Sequence, residues 1–215
     1  MEISHEFVSL FMFADRIEAG KLLSEKLDLR GKNSLVLAIP RGGVVVGNQI
    51  ALALGCNLDV VISKKINPPN HPEYAVGAIM PDGTIHWNQD TTQYLNHPYF
   101  ANEINEKKKE SQRQLEEFRG NSTYDLKNKT VILVDDGIAT GATVFVILKW
   151  LAKNNPEKII VASPVIPADT YEQLKKMSDI VALLVPTTFN AVSDFYQKFD
   201  QVSEKEVMSI LRKYC

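Results

Sequence analysis

Residues 131–143 read V-I-L-V-D-D-G-I-A-T-G-A-T, and they combine a buried strand, an acidic turn and the start of a helix. The run over 130–134 is apolar and rich in β-branched residues, which is typical of a strand covered on both faces of a parallel sheet. Two acids and a glycine-rich turn follow, and the apolar spacing over 142–153 then predicts a helix. A strand that passes through a tight turn into a helix is the repeating unit of α/β folds.

The same alternation extends in both directions along the chain. A turn at Pro81-Asp82-Gly83 predicts a hairpin, and Gly55 is placed to end the second helix. Strands are predicted over 34–39, 58–63, 74–80, 84–87, 130–134, 158–162 and 180–185. Helices are predicted over 14–27, 44–54, 142–153, 168–177 and 204–211. We therefore expect an α/β fold whose central, mainly parallel sheet is flanked by helices.

The composition is that of an ordinary globular protein. The 215 residues are 45% hydrophobic and 23% charged, which excludes a disordered or fibrous chain. The formal net charge of −2 gives no electrostatic reason to expect nucleic acid as a partner. No apolar run approaches the length of a membrane span, the first residues lack the features of a secretion signal, and two cysteines cannot form a disulfide framework. We expect a cytoplasmic protein without a membrane partner, folded as a single domain over 1–215.

The turn after the strand at 130–134 joins two kinds of ligand-binding group. Asp135 and Asp136 stand at the carboxyl end of a strand, where open α/β sheets bind ligands. Gly137 and Gly141 let backbone N–H groups converge, and the start of the next helix favours an anion such as phosphate. Carboxylates repel phosphate, so the acids should instead bind vicinal hydroxyls or a metal. A ribose 5-phosphate unit satisfies both halves of the turn, whereas the alternative is an ordinary loop with a helix cap.

A second strand-to-helix turn offers related chemistry. Pro40-Arg41-Gly42-Gly43 follows the strand at 34–39, and its two glycines allow a backbone to approach a ligand closely. Arg41 carries a forked cation that suits diphosphate oxygens. Taken alone, these four residues are equally consistent with a tight turn that bears a surface arginine.

Together, these segments resemble one protein family. The string at 131–143 resembles the phosphoribosyl diphosphate (PRPP) signature of the type I phosphoribosyltransferases. The resemblance extends to a group of predicted phosphoribosyltransferases of unassigned base specificity through F-A-D-R-I-E-A-G (13–20), A-I-P-R-G-G-V-V-V-G (38–47), K-K-I-N-P-P-N-H-P-E-Y-A-V-G-A-I (64–79) and F-Y-Q-K-F-D-Q-V-S (195–203). It covers nearly the full chain. It implies the family's fold, with a small hood built by the terminal segments and a flexible flap inserted over 66–129.

The resemblance implies a transferase that moves the 5-phosphoribosyl group of PRPP to a nucleobase-like acceptor and releases diphosphate, as in nucleotide salvage. Asp135 and Asp136 would hold the ribose hydroxyls and lie beneath the cation that develops on the sugar, which makes them the catalytic pair. The implied phosphate contacts fall into two sets. The 5-phosphate set is Ala139, Thr140, Gly141, Ala142 and Thr143, and the diphosphate set is Arg41, Gly42, Gly43 and Lys65.

Further family features are implied in the same way. Mg²⁺ would arrive bound to PRPP, with no direct ligand from a protein side chain, and the protein would form a homodimer. A cis non-proline peptide bond would lie at or near Arg41-Gly42. The 6-oxopurine enzymes of the family place an acid where this chain has Ala139, so hypoxanthine and guanine are disfavoured as acceptors.

The flap and the terminal aromatic residues carry weaker predictions. A helix is predicted over 102–119, and its thin apolar stripe of Ile104, Leu115 and Phe118 predicts poor anchoring, as in a flap that closes to exclude water. Phe195 and Tyr196 are candidates to stack on an acceptor base, although aromatic residues there more often belong to the core. Lys64 is expected at a solvated strand end.

Other functions remain open at this point. A PRPP-sensing regulator would keep the phosphate cradle without turnover, although no basic helix-turn-helix segment is visible in the sequence. An unrelated phosphate-binding enzyme would be expected to carry a G-x-x-x-x-G-K or G-x-G-x-x-G string, and neither is present. The histidines show no metal-ligand spacing, so we expect no metal site built from the protein alone.

Overall fold

A five-stranded parallel sheet forms the centre of the molecule. The computed structural model describes residues 12–29, 33–68, 75–88, 91 and 98–214. The strands of this sheet are Ser34–Ala38 (β1), Asn57–Val60 (β2), Thr130–Val134 (β6), Lys158–Val165 (β7) and Asp179–Leu184 (β8). They stand in the order β2-β1-β6-β7-β8, and all neighbouring pairs are parallel. The predicted α/β fold with a mainly parallel sheet is confirmed.

Helices cover both faces of this sheet. The helices α1 (Arg16–Glu25), α2 (Gly42–Leu54) and α6 (Glu204–Leu211) contribute to one apolar cluster, and α4 (Ala142–Lys153) and α5 (Ala168–Leu174) contribute to the other. Strand β1 sends Val36 into the first cluster and Leu37 into the second, as expected for a strand that is covered on both faces. Across the described ranges, no helix is both long and apolar enough to span a bilayer.

A smaller antiparallel sheet consists of β3 (Lys64–Ile66), β4 (Gly77–Ile79) and β5 (Ile85–Trp87). The predicted hairpin is confirmed by the pairing of β4 with β5, although the first residue of the strand predicted over 74–80 lies outside the described residues. Lys64, which is expected at the end of the strand predicted over 58–63, instead lies with Lys65 in β3 of the smaller sheet. β2 ends at Val60, and both lysines pair with β4. The buried residues Val61 and Ile62 continue the apolar run, but the central pairing stops once the N–H of Val61 has donated to the carbonyl of Ala38 at 3.0 Å, which explains the error.

Predicted and observed bounds agree best where local signals are strong. The strand at 130–134 and the helices at 142–153 and 204–211 match the structure, and Gly55 ends α2 in the left-handed conformation, with φ of 65°. Helix α1 begins at Arg16 because the Asp15 carboxylate accepts hydrogen bonds from the backbone of Ile17 at 2.8 Å and Glu18 at 2.9 Å. Strand β7 runs to Val165, three residues beyond the predicted end, because it stays paired with β8 as far as Leu184.

Helix α3 (Pro98–Arg119) is better anchored than its sequence predicts. Leu115 and Phe118 are buried in the first core cluster. Arg119 binds both carboxylate oxygens of Asp59 on β2 at 2.8 Å, and its guanidinium lies 3.7 Å from the ring centre of Tyr124. The prediction of poor anchoring is therefore wrong for the carboxyl end of this helix, because a thin apolar stripe is supplemented by a long-range ion pair.

Asp59→Ala is expected to destabilise the protein by about 3 kcal/mol, because it leaves the largely buried guanidinium of Arg119 without a compensating carboxylate. The matched control is Glu117→Ala, which breaks an exposed pair with Arg113 on the same helix and should change stability by less than about 0.5 kcal/mol. Urea unfolding measures both. Equal effects for the two variants would contradict the anchoring role.

Candidate active site

The two turns singled out in the sequence lie side by side. Strands β1 and β6 are neighbours, with Ala38 opposite Val134, so both turns leave the same edge of the sheet. After β1 the chain proceeds to β2 on one side, and after β6 it proceeds to β7 on the other. A reversal of this kind opens a crevice at the carboxyl ends of the strands, where α/β sheets bind ligands.

Glycines bring the two turns into direct contact. A Cβ atom on Gly42 would stand 1.8 Å from Oδ2 of Asp136, and one on Gly43 would stand 2.8 Å from the carbonyl oxygen of Val134. The turn that carries Arg41 thus packs against the acid pair with no room for a side chain between them. The structure brings together Arg41, Gly42, Gly43, Asp135 and Asp136.

Asp135 and Asp136 lie side by side and influence each other directly. The backbone N–H of Asp136 donates to Oδ1 of Asp135 at 2.9 Å. Burial, and then the neighbouring Asp136 carboxylate, raise the pKa of Asp135 well above its usual value. The positive charge of Lys65 acts on this pKa in the opposite direction, so Lys65 lies within electrostatic reach of the pair although it belongs to the smaller sheet.

Arg16 is a third charged group at this site, and sequence reasoning missed it. Nε of Arg16 on α1 donates to Oδ2 of Asp136 at 2.6 Å, and Nη1 of Arg16 donates to the carbonyl of Asp200 at 2.8 Å. The guanidinium lies over the ring of Phe199, 3.7 Å from its centre. Arg16 stands within F-A-D-R-I-E-A-G, but nothing local in that string points to Asp136.

Two helices begin at this site without a side-chain cap. Arg41 precedes α2 and does not cap it with its side chain, and Gly141 precedes α4 and has no side chain with which to cap it. Backbone N–H groups in the first turns of both helices are therefore available to an anion. Gly141 has φ of 75°, a conformation that favours glycine, and the cis peptide bond lies at Pro40-Arg41, one bond before Arg41-Gly42.

The turn before α4 is fixed from the neighbouring helix α5. The hydroxyl of Thr170 donates to the carbonyl of Ala139 at 2.8 Å, and its methyl group lies 3.0 Å from where a Cβ on Gly141 would stand. Ala139 and Thr140 are exposed, whereas Gly141 and Ala142 are buried and Thr143 is half-buried. Sequence reasoning missed Thr170 because it lies 31 residues from Ala139.

Tyr196 is not available to stack on a ligand. It is 3% exposed, it packs between Phe13 and Phe199, and its hydroxyl donates to the carbonyl of Asp136 at 2.6 Å. Phe195 is half-buried and stacks on Phe189, with ring centres 5.7 Å apart. Of the two aromatic candidates, Tyr196 therefore contacts the backbone of the acid pair rather than a ligand.

Comparison with known proteins identifies the family. Residues 14–200 match the model of the phosphoribosyl transferase domain. This chain belongs to the phosphoribosyltransferase family. The matched range includes Arg41 and the acid pair, and the resemblance drawn from the sequence is confirmed.

Individual relatives are consistent with membership of the phosphoribosyltransferase family. A Mycobacterium tuberculosis protein named "Putative phosphoribosyl transferase" is 37% identical over 205 residues, which cover 93% of this chain and 46% of that protein. The chain thus spans about half the length of this relative. A solved structure from Thermus thermophilus shares 36% identity and superposes with a TM-score of 0.79, covering 94% of this chain and 99% of that one. An Aquifex aeolicus structure, at 14% identity, a TM-score of 0.51 and 86% coverage of each chain, shares the fold alone.

Proposed function

We propose that this protein binds PRPP with Mg²⁺ and transfers the 5-phosphoribosyl group to a nucleobase-like acceptor, with release of diphosphate. The observation that carries the proposal is the packing of the acid pair against the uncapped start of α2, together with the uncapped start of α4 that follows the pair in the chain. Such a site offers anionic groups for hydroxyls and backbone donors for two separate phosphate groups. PRPP presents hydroxyls between a 5-phosphate and a diphosphate, which matches this arrangement.

Different parts of the site bind different parts of PRPP. Asp135 and Asp136 hold the ribose hydroxyls. The turn over 139–143 and the start of α4 hold the 5-phosphate. Arg41, Gly42 and Gly43 hold the diphosphate at the start of α2, and Lys65 adds a positive charge to the same group.

Catalysis by these residues is mainly electrostatic. Departure of diphosphate leaves positive charge on the ribose ring, and the adjacent carboxyl groups of Asp135 and Asp136 stabilise that charge. Backbone donors and Arg41 stabilise the charge that gathers on the leaving diphosphate. Closure of the flap that the family resemblance implies would exclude water, which otherwise competes with the acceptor.

The residues at the site fit a Mg²⁺ ion that PRPP carries in. Oδ2 of Asp136 is already bound to Arg16, and the described residues contain no group of three or more His, Cys, Asp or Glu that could hold a metal ion. Mg²⁺ commonly keeps few protein ligands and binds substrate phosphates instead. When bound, it supplies charge neutralisation to the diphosphate leaving group.

The proposal is tested by titrating the wild-type protein with Mg-PRPP in a calorimeter and then measuring diphosphate release with a panel of nucleobases. Ribose 5-phosphate and Mg-diphosphate, each alone, are expected to bind more weakly than PRPP. Base-dependent diphosphate release supports the transferase, and we expect hypoxanthine and guanine to be poor acceptors. Tight PRPP binding without turnover across the panel would instead favour the PRPP-sensing protein. No binding of PRPP would remove both functions.

Thr170→Val should weaken the binding of Mg-PRPP about 5- to 10-fold, because one hydrogen bond that fixes the 5-phosphate turn is lost while the methyl contact with Gly141 is kept. Thr170→Ser is the matched control, since it keeps the hydroxyl, and its affinity should stay within about 2-fold of the wild type. Calorimetry gives both values. A larger loss in the serine variant than in the valine variant would contradict this role for the hydroxyl.

A further inference from the structure

Segments from the two ends of the described chain meet beside the acid pair. The backbone N–H of Phe13 donates to the carbonyl of Phe195 at 2.9 Å, and the N–H of Gln197 donates back to the carbonyl of Phe13 at 2.8 Å. Lys198 continues the contact by donating to Ala14 at 3.1 Å. We call residues 13–16 and 195–200 the terminal clasp. Its two halves lie in two of the four flanking segments through which the sequence resembles phosphoribosyltransferases of unassigned base specificity.

The terminal clasp holds Asp136 at two points. Arg16, from the first half, binds the side-chain oxygen Oδ2 at 2.6 Å. Tyr196, from the second half, donates its hydroxyl to the backbone carbonyl of the same residue at 2.6 Å. Both the carboxylate and the peptide group of Asp136 are therefore fixed by residues that are distant in the sequence.

Arg16 is itself fixed in orientation. Its guanidinium lies on the ring of Phe199 and donates to the carbonyl of Asp200. Its side chain is 11% exposed, and that of Asp136 is 15% exposed. A buried ion pair is a weak source of net stability, because desolvation of the two charges offsets most of their attraction. The contact is therefore better explained by what it does to the geometry of Asp136.

The geometry of Asp136 matters because its carboxylate faces the diphosphate turn. A Cβ on Gly42 would stand 1.8 Å from Oδ2 of Asp136 and 2.8 Å from Nε of Arg16. The ion pair therefore lies where the acid pair meets the start of α2. Any rotation of the Asp136 side chain would change both the hydroxyl-binding position and the packing of that turn.

We infer that Arg16 is a positioning residue for ribose binding, which holds the carboxylate of Asp136 in place through the terminal clasp. The inference rests on the proposed function, since it assigns a role within the same PRPP site. Arg16 acts through Asp136 and does not itself contact the ligand. Lysine at this position keeps the charge but loses the planar group that stacks on Phe199 and donates in two directions.

The test compares Arg16→Gln and Arg16→Lys with Lys21→Gln, which removes an exposed cation from the same helix. Arg16→Gln is expected to raise the Kd for Mg-PRPP by about 10- to 100-fold, the range typical when a residue that orients a ligand-binding side chain is lost. Arg16→Lys should recover part of that loss, and Lys21→Gln should stay within about 2-fold of the wild type. Thermal unfolding shows which variants are folded. If Arg16→Gln does not fold, the change in Kd is measured with Arg16→Lys instead.

A double-mutant cycle with Asp136→Asn separates positioning from general structural damage. If Arg16 acts through Asp136, then Arg16→Gln should change the Kd by less than about 3-fold once Asp136 is already asparagine. General damage to the fold would instead raise the Kd by a similar factor in the wild-type protein and in Asp136→Asn. Additive losses of PRPP affinity therefore overturn the inference.

Two further outcomes overturn it and leave the proposed function standing. One is unchanged PRPP affinity in folded Arg16→Gln. The other is tighter binding in that variant, which would mean that Arg16 competes with the ribose for Asp136. Failure of the wild-type protein to bind Mg-PRPP is a different result, because it removes the proposed function and this inference with it.

Discussion

Asp135→Asn and Asp136→Asn should each weaken the binding of Mg-PRPP by at least about 100-fold, yet they should move the stability of the fold in opposite directions. Both substitutions remove a carboxylate that would bind the ribose hydroxyls and stabilise positive charge on the sugar. The two acids differ in their surroundings, because Asp135 is buried beside another acid, whereas Asp136 is paired with an arginine.

Asp135→Asn is expected to stabilise the protein by about 1 kcal/mol, a usual gain when a strained functional site is relaxed. Burial and the neighbouring Asp136 carboxylate raise the pKa of Asp135, so ionisation of this carboxyl opposes folding. Above about pH 4 the unfolded chain has released a proton that the native protein still holds. Wild-type stability should therefore fall as the pH rises from that point through the raised pKa, and the asparagine variant should lose this dependence.

Asp136→Asn is expected to destabilise the protein by about 3 kcal/mol, because the buried Arg16 guanidinium loses the carboxylate that compensates its charge. Urea unfolding at pH 5 and pH 8 measures both effects, and calorimetry with Mg-PRPP measures affinity. Asp125→Asn is the surface control, since Asp125 is largely exposed, and it should leave both quantities nearly unchanged. Wild-type affinity in either variant of the acid pair would contradict its assignment to ribose, and a common sign for the two stability changes would contradict the charge assignment.

The parts of this molecule that the sequence predicts well are those with short-range causes. Thr130–Val134 is a run in which every residue except Leu133 is β-branched, α4 ends where the chain reads Asn-Asn-Pro, and α6 begins directly after Ser203, whose hydroxyl accepts a hydrogen bond from the backbone N–H of Glu206. The contact between the two glycine-bearing turns follows once β1 and β6 are neighbours in a parallel sheet. Each of these features needs only local pattern or one topological rule.

The parts that the sequence did not predict have long-range causes. Arg16 and Asp136 are 120 residues apart, and Arg119 and Asp59 are 60 apart, so neither pair leaves a local pattern. No glycine or proline stands between Val60 and Lys64 to mark the point where the chain leaves the central sheet. In each case tertiary contacts determine the outcome, and a reading of neighbouring residues cannot detect it.

Gly42→Ala is expected to weaken Mg-PRPP binding by at least about 100-fold, because the acid pair and the diphosphate turn can no longer pack together. The added Cβ would stand 1.8 Å from Oδ2 of Asp136, 2.5 Å from its Cγ and 2.8 Å from Nε of Arg16. Asp136 cannot turn aside cheaply, since Arg16 holds its carboxylate and Tyr196 holds its carbonyl. Either the turn moves away from β6 or the ion pair breaks, and both changes disrupt the site.

The same substitution should destabilise the protein by about 2 kcal/mol, which is typical of overpacking at a tight contact. Alanine is the better helix former by about 1 kcal/mol, so a loose contact at this position would give a gain in stability instead. Gly47→Ala is the matched control on the same helix, because its Cβ would lie 3.1 to 3.2 Å from side chains of Ala38, Leu58 and Val36 and would touch no residue of the site. That variant should keep wild-type affinity for PRPP, so wild-type affinity in Gly42→Ala as well would mean that the acid pair and the diphosphate turn do not form one site.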